Sequence, residues 1–197
     1  VSANLETFNS RFTKWLSGEN FEEKAQETQS YYKERKERGE TDWPQVYRYE
    51  LSCDTYTSDD LISIAASYYS YSGGGHGMSV LLAWNYDLSR QSFIDPMDVV
   101  VDQAAFSVAV TQEILSQIDA TNTLYWDDYE EIVAHWPSYA VSFGTDGMDV
   151  GFSPYELAAY AAGEQKFHIS KEFLEPYLSD YGRGLIGYAG ETKQANP

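Results

Sequence analysis

The chain has 197 residues, enough for one domain with an apolar core and short of what two independent domains usually need. Hydrophobic residues make up 43% and aromatics 16%, a globular composition that excludes a disordered chain. A formal net charge of −18 repels phosphate backbones and anionic lipid surfaces, which excludes nucleic acid and favours a basic protein as partner, although acidity alone also serves solubility.

In chain order, Leu5, Phe8, Phe12, Trp15 and Leu16 recur at helical spacing and predict an amphipathic helix that closes near Gly18 and packs on a sheet. Asn20 introduces a second helix with few apolar positions, solvated over most of its surface, with Gly39 as its C-terminal cap. From Val46 the period changes to two. Tyr47, Tyr49, Leu51 and Cys53 alternate with polar residues and predict a half-buried strand, with Cys53 a small buried thiol on its apolar face. After a turn at Thr57-Ser58-Asp59-Asp60, Ile62, Ile64, Ala66 and Tyr68 share one face of the next strand. Met78, Val80, Leu82, Trp84, Tyr86 and Leu88 share a face of the third, making an antiparallel meander.

Asp95-Pro96 stops that strand, and Asp102 predicts the N-cap of a helix carrying Phe106, Val110, Ile114 and Ile118 on one side. A polar link at Thr121-Asn122-Thr123 leads into the acidic aromatic stretch LYWDDYEEIVAHW. Tyr139, Val141 and Phe143 pair with Met148, Val150 and Phe152 around Thr145-Asp146-Gly147, a hairpin signalled by Asp-Gly. GFSPYELAAYAAG predicts a short helix, with Ser153 as N-cap, Pro154 in the first turn, Glu156 closing a capping box and Gly163 ending it. A strand over 166–170 and a last helical piece at KEFLEPYL follow, then a frayed tail over 188–197. This order predicts an α+β fold, with an antiparallel meander sheet packed by N-terminal and central helices. Residues 1–187 are expected to form a single domain, helical over 1–40.

The chemistry-bearing residues point away from catalysis. Gly73-Gly74-Gly75-His76-Gly77 lacks the lysine and hydroxyl ending of a phosphate loop and lies between two strands, so it reads as a connection that needs positive φ. His76 has no nucleophile elbow to serve. The single cysteine, Cys53, rules out an intrachain disulfide, and three isolated histidines give no metal spacing, so neither cofactor nor metal is expected. Asp127, Asp128, Glu130 and Glu131 lack the pattern of a calcium loop. What remains is a surface of aromatics interleaved with carboxylates. Its candidate partner-binding residues are Tyr69, Tyr71, His76, Tyr125, Trp126, Asp127, Asp128, Tyr129, Glu130 and Glu131. The opposing reading places these aromatics in the core and the acids as their wet neighbours. An enzyme acting on cell-wall carbohydrate would use a carboxylate pair such as Asp128 and Glu131.

Two segments, YYSYSGGGHGMSVLLAWNYDLSRQSFIDPMDVV and TDGMDVGFSPYELAAYAAGEQKFHISKEFLEPYL, carry a resemblance. They are similar to the extracytoplasmic domain of RsiV-type anti-sigma factors, a domain-of-unknown-function family also attached to peptidoglycan deacetylases. The matching positions are Gly74, Gly75, His76, Tyr86, Asp87, Leu88, Phe152, Pro154, Tyr155, Glu156, Tyr160 and Gly163, within residues 46–178. The resemblance implies a non-enzymatic α+β binding domain outside the cytoplasm, at the periplasm or cell surface, with no catalytic residues to carry over. In the RsiV branch it implies lysozyme, a basic protein, as the bound partner. An inhibitor or an immunity protein against a secreted toxin fits the same charge, and a glycan-binding envelope domain is the alternative from another class. The chain has no apolar run long enough for a membrane span, and its start at Val1 is consistent with a signal peptide or anchor removed upstream.

Overall fold

A computed structural model describes residues 5–18, 20–40, 48–72, 75–118 and 124–187. The first helix, α1 (Glu6–Gly18), has the expected stripe but buries none of its residues completely. Its aromatics lie on a sheet: Phe8 meets Tyr86 edge-on, Phe12 meets Trp84 at 4.9 Å between ring centroids, and Trp15 sits edge-on to Tyr68. Asn20, at φ +52, turns the chain into α2 (Phe21–Glu37), which is largely solvated and buries no residue completely, as its polar sequence predicts. Its first turn meets the sheet through Phe21 on Tyr49 and Tyr68, and Gly39 at φ +73 follows its end.

The first sheet is the expected meander, in the order β1 (Arg48–Thr57), β2 (Leu61–Tyr71), β3 (Met78–Asp87) and β4 (Ser92–Phe93). Its register pairs Ile64 with Trp84 and Ile62 with Tyr86, so the predicted apolar faces coincide and α1 covers them. Coverage ends before β1. Cys53 pairs with Ala66 on the apolar side, yet it is exposed, because β1 is an edge strand beyond the reach of α1. Leu51 on β1 is likewise exposed, as are Met78 and Val80 at the start of β3. Residual burial and the neighbouring Asp54 charge push the Cys53 thiol upward, away from the reactive thiolate.

A second sheet, β5 (Ala140–Phe143), β6 (Gly147–Phe152) and β7 (Gln165–Ser170), holds the Asp-Gly hairpin and the predicted last strand. Val141, Phe143, Met148, Val150 and Phe152 are buried on one face with Phe106, Val110 and Ile114 of α3 (Gln103–Gln117). Each of these α3 side chains contributes about 1.5–3 kcal/mol on full burial. Asp102 caps α3 as expected, its carboxylate accepting from Ala105 N at 3.0 Å. The sheets are joined by buried polar groups: Ser63 Oγ donates to Asn85 Oδ1 (2.7 Å) and accepts from Phe143 N (2.8 Å), while Asn85 Nδ2 donates to the Val141 carbonyl (2.8 Å).

The acidic stretch forms a short helix, α4 (Tyr129–Ala134). The helix expected in GFSPYELAAYAAG is absent. The Glu156 carboxylate does accept from Ser153 N, but Tyr155 takes φ +73 and the chain turns, winding only a 3-10 turn at Tyr160–Ala162. Tertiary pairing overrides the local capping signal: Ala158 bridges Tyr125, Ala159 N donates to the Leu124 carbonyl (2.8 Å), and Leu157 is wholly buried. KEFLEPYL winds only over α5 (Lys171–Leu174), capped by Ser170, and an unanticipated helix, α6 (Asp180–Ile186), follows. Gly182 lets α6 lie against the backbone, since a Cβ there would stand 2.1 Å from the Val99 carbonyl oxygen. Val46, Tyr47, Gly73, Gly74, the Thr121-Asn122-Thr123 link and the tail from Tyr188 lie outside the described residues.

Candidate functional site

The β2–β3 and β6–β7 connections meet at one end of the molecule. The His76 ring stacks on Tyr160 at 3.9 Å and 24°, and Tyr155 lies 5.6 Å from Tyr160 and 6.5 Å from His76. Nδ1 of His76 bonds the Gly77 carbonyl at 2.8 Å. Because a carbonyl only accepts, Nδ1 carries the hydrogen of that bond. Gly77 is buried against Tyr69, and a Cβ there would fall 2.4 Å from that ring. The glycine is therefore set by a close approach of side chain to backbone.

Trp126 joins this cluster through its indole, which donates from Nε1 to the Tyr155 carbonyl at 3.1 Å. That bond holds Tyr155 in its left-handed conformation with the side chain 47% exposed. Beside Trp126, the exposed carboxylates of Asp127, Asp128, Glu130 and Glu131 crowd the start of α4. Tyr125 and Tyr129 turn the other way: both are half-buried against the core, and Tyr125 donates to Gln165 Oε1 at 2.8 Å.

A cross-strand row on the second sheet has the side chains of a hydrolase in the wrong order. Ser142 pairs with Asp149 and Asp149 with His168, whose Nδ1 lies 2.8 Å from Asp149 Oδ1. The carboxylate stands in the middle, whereas activation of a serine needs the imidazole there. The hydrogen bond to Asp149 raises the His168 pKa above its ordinary value of 6.5. Among the described residues, no group of three or more His, Cys, Asp or Glu side chains is placed to hold a metal ion.

Known proteins share both the sequence and the shape. The family model for the deacetylase PdaC matches residues 2–79. The peptidoglycan-N-acetylmuramic acid deacetylase PdaC of Bacillus subtilis strain 168 is 27% identical over 142 residues, covering 68% of this chain. A crystal structure of a DUF3298 family member from Bacteroides fragilis superposes with a TM-score of 0.61 at 16% identity, over 90% of this chain and 72% of that one. The first part of the chain is thus similar to the PdaC family model, and the fold is that of the Bacteroides fragilis DUF3298 structure. The chain spans 30% of the Bacillus subtilis deacetylase's length. A DUF3298 family protein from Pseudomonas aeruginosa aligns over 74% of the chain at 19% identity, with a TM-score of 0.49.

The residues expected from sequence divide into groups. His76 and Trp126 come together through Tyr155, and Tyr69 supports the His76 loop from beneath Gly77. Tyr71 lies opposite Arg48, two residues beyond Tyr69 on β2. Tyr125 and Tyr129 anchor the acidic stretch, and the four carboxylates are displayed. Tyr155 and Tyr160 are not legible as contact residues in the sequence, because the motif containing them reads locally as helix. The motif was itself the available signal.

Proposed function

We propose that the chain is a non-catalytic, extracytoplasmic binding module that takes a basic protein onto the face formed by His76, Tyr155, Tyr160 and Trp126 with the carboxylates of Asp127, Asp128, Glu130 and Glu131. The observation that carries this reading is an aromatic cluster from two distant connections, held by hydrogen bonds and adjoining exposed acids. Tyrosine and tryptophan on a rigid backbone supply contact area at low entropic cost, and the acids select and steer a cationic partner. Location outside the cytoplasm rests on the relative, whose named substrate is peptidoglycan. A cell-wall hydrolase of the lysozyme kind is the partner that best fits the charge, with the domain as its receptor or inhibitor; neutralisation of a secreted toxin would use the same face. His76 supports the non-catalytic reading, since its ring is stacked and its Nδ1 is engaged by its own loop.

Titration calorimetry with hen egg-white lysozyme tests the proposal. Saturable binding that weakens as salt rises is expected, with a loss of about 2 kcal/mol or more in Tyr155→Ala. Asp127→Asn with Asp128→Asn should chiefly slow association. No binding, or affinity unmoved by Tyr155→Ala, would overturn it.

A further inference from the structure

The two sheets leave a cleft of about 310 Å³ between the β1–β3 face and β5–β6. It is open because the facing side chains are small: Ala65 pairs with Ala83 across β2 and β3, and Ser142 and Gly151 stand opposite on β5 and β6. Beyond them β1 forms a wall of Ser52, Asp54 and Tyr56, which register places on the same side as Ser67, Ala65 and Ser63. This volume lies at the lower end of the range for small-molecule pockets, about 300–1,000 Å³.

We propose that the cleft binds a neutral saccharide of one or two pyranose units, a site independent of the aromatic face described above. The wall chemistry eliminates other classes. Asp54 and Asp149 face the cleft against one cation, Lys166, which is already paired with Glu164 at 3.0 Å. Burial raises the Glu164 pKa, but hydrogen bonds from Ser67 and Lys166 more than offset this and keep the carboxylate ionised. An anionic ligand would therefore meet net negative charge. An alkyl ligand would strip water from Ser52 and the Asp54 carboxylate and return no hydrogen bonds.

A pyranose ring satisfies both kinds of surface. Its C–H faces suit the alanine methyls and the ring of Tyr56, and its hydroxyls can donate to carboxylates and exchange hydrogen bonds with serines. The walls are fixed in advance. Tyr56 donates to the Ile186 carbonyl at 2.6 Å, and Ser63 is locked between Asn85 and Phe143 N. Binding then orders little that is not already ordered.

The test is a two-dimensional amide NMR titration of the 197-residue chain with cellobiose, maltose and N,N′-diacetylchitobiose, each up to about 20 mM, a range that detects millimolar binding. At least one sugar should give saturable shifts confined to residues around Ala65, Ala83 and Ser142. Ala65→Phe fills the cleft and should weaken binding at least about tenfold, while exposed Asp54→Asn should weaken it about threefold without disturbing the fold. Absence of saturable shifts with all three sugars, shifts mapping elsewhere, or shifts unchanged in Asp54→Asn would overturn the proposal. Should Ala65→Phe fail to fold, Asp54→Asn decides alone. Lysozyme binding is scored separately, so either reading can fail without the other.

Discussion

Asp87 shows how one buried carboxylate can tie the C-terminal helix to the sheet. It is 1% exposed and accepts from Tyr181 at 2.6 Å and from Arg90 N at 2.7 Å, while the Arg90 guanidinium lies 3.7 Å over the Tyr181 ring. Burial, then the hydrogen bond to Asp87, hold the Tyr181 hydroxyl well above the ordinary phenol range, so it remains a donor at every physiological pH. Tyr181→Phe should cost about 1–3 kcal/mol by leaving Asp87 short of a partner, read as a lower urea midpoint at unchanged slope. His168 makes a prediction of opposite character, about pH. Its folded-state pKa is raised above 6.5, chiefly by the hydrogen bond to Asp149, so the stabilisation is fully present below that value and is lost as pH rises through the raised one. A histidine NMR titration should place the midpoint above 6.5, and Asp149→Asn should bring it down towards that value. Neither pairing was visible in sequence, because Asp87 and Tyr181 are brought together only by the docking of α6. Cys53 is exposed where alternation predicts burial for a related reason: alternation assigns a strand residue to a face, while its position in the sheet decides whether anything covers that face.

At the scale of elements, α1 meets the sheet through ring contacts and buries no residue completely. It should be the part that opens first. Hydrogen exchange should find α1 amides far less protected than those of β5–β7, and replacing Phe12 and Trp15 together by alanine should increase that difference by about 2 kcal/mol. Loss of protection in the second sheet at the same rate would show instead that both layers unfold as one unit. The segment after β6 teaches a complementary lesson. Ser153, Pro154 and Glu156 are strong helix-start signals, yet pairing of residues 157–159 with 124–126 turns the chain. Residues about thirty positions away settle that competition, and a local reading does not contain them. Conversely, α6 contains two glycines and little helical propensity; it forms because Leu185 and Ile186 are buried and Ser179 caps it.

For the molecule as a whole, a net charge of −18 means that compaction works against its own repulsion. Screening should therefore raise the thermal midpoint as sodium chloride increases from low concentration to about 0.5 M, while the same salt weakens any basic partner. A midpoint unaffected by salt would show that local pairing already cancels the repulsion. Two sheets stacked with a polar seam between them also explain why the cleft escaped prediction. Ala65, Ala83, Ser142 and Gly151 read as ordinary small strand residues until the second sheet is set opposite the first.

By itself, the sequence determined the α+β class, the aromatic face that receives α1, the Asp102 cap and the Asp-Gly hairpin, because periodicity and turn chemistry act over a few neighbouring residues. It also determined the family likeness, through motifs that survive without any knowledge of their contacts. Only the tertiary structure decided that the His76 connection and the Ser-Pro-Tyr-Glu motif meet at His76, Tyr155 and Tyr160, and that Cys53 on β1 is left exposed. Those outcomes depend on which distant segments compete for the same hydrogen bonds and the same buried surface, a comparison that no local window of the chain contains.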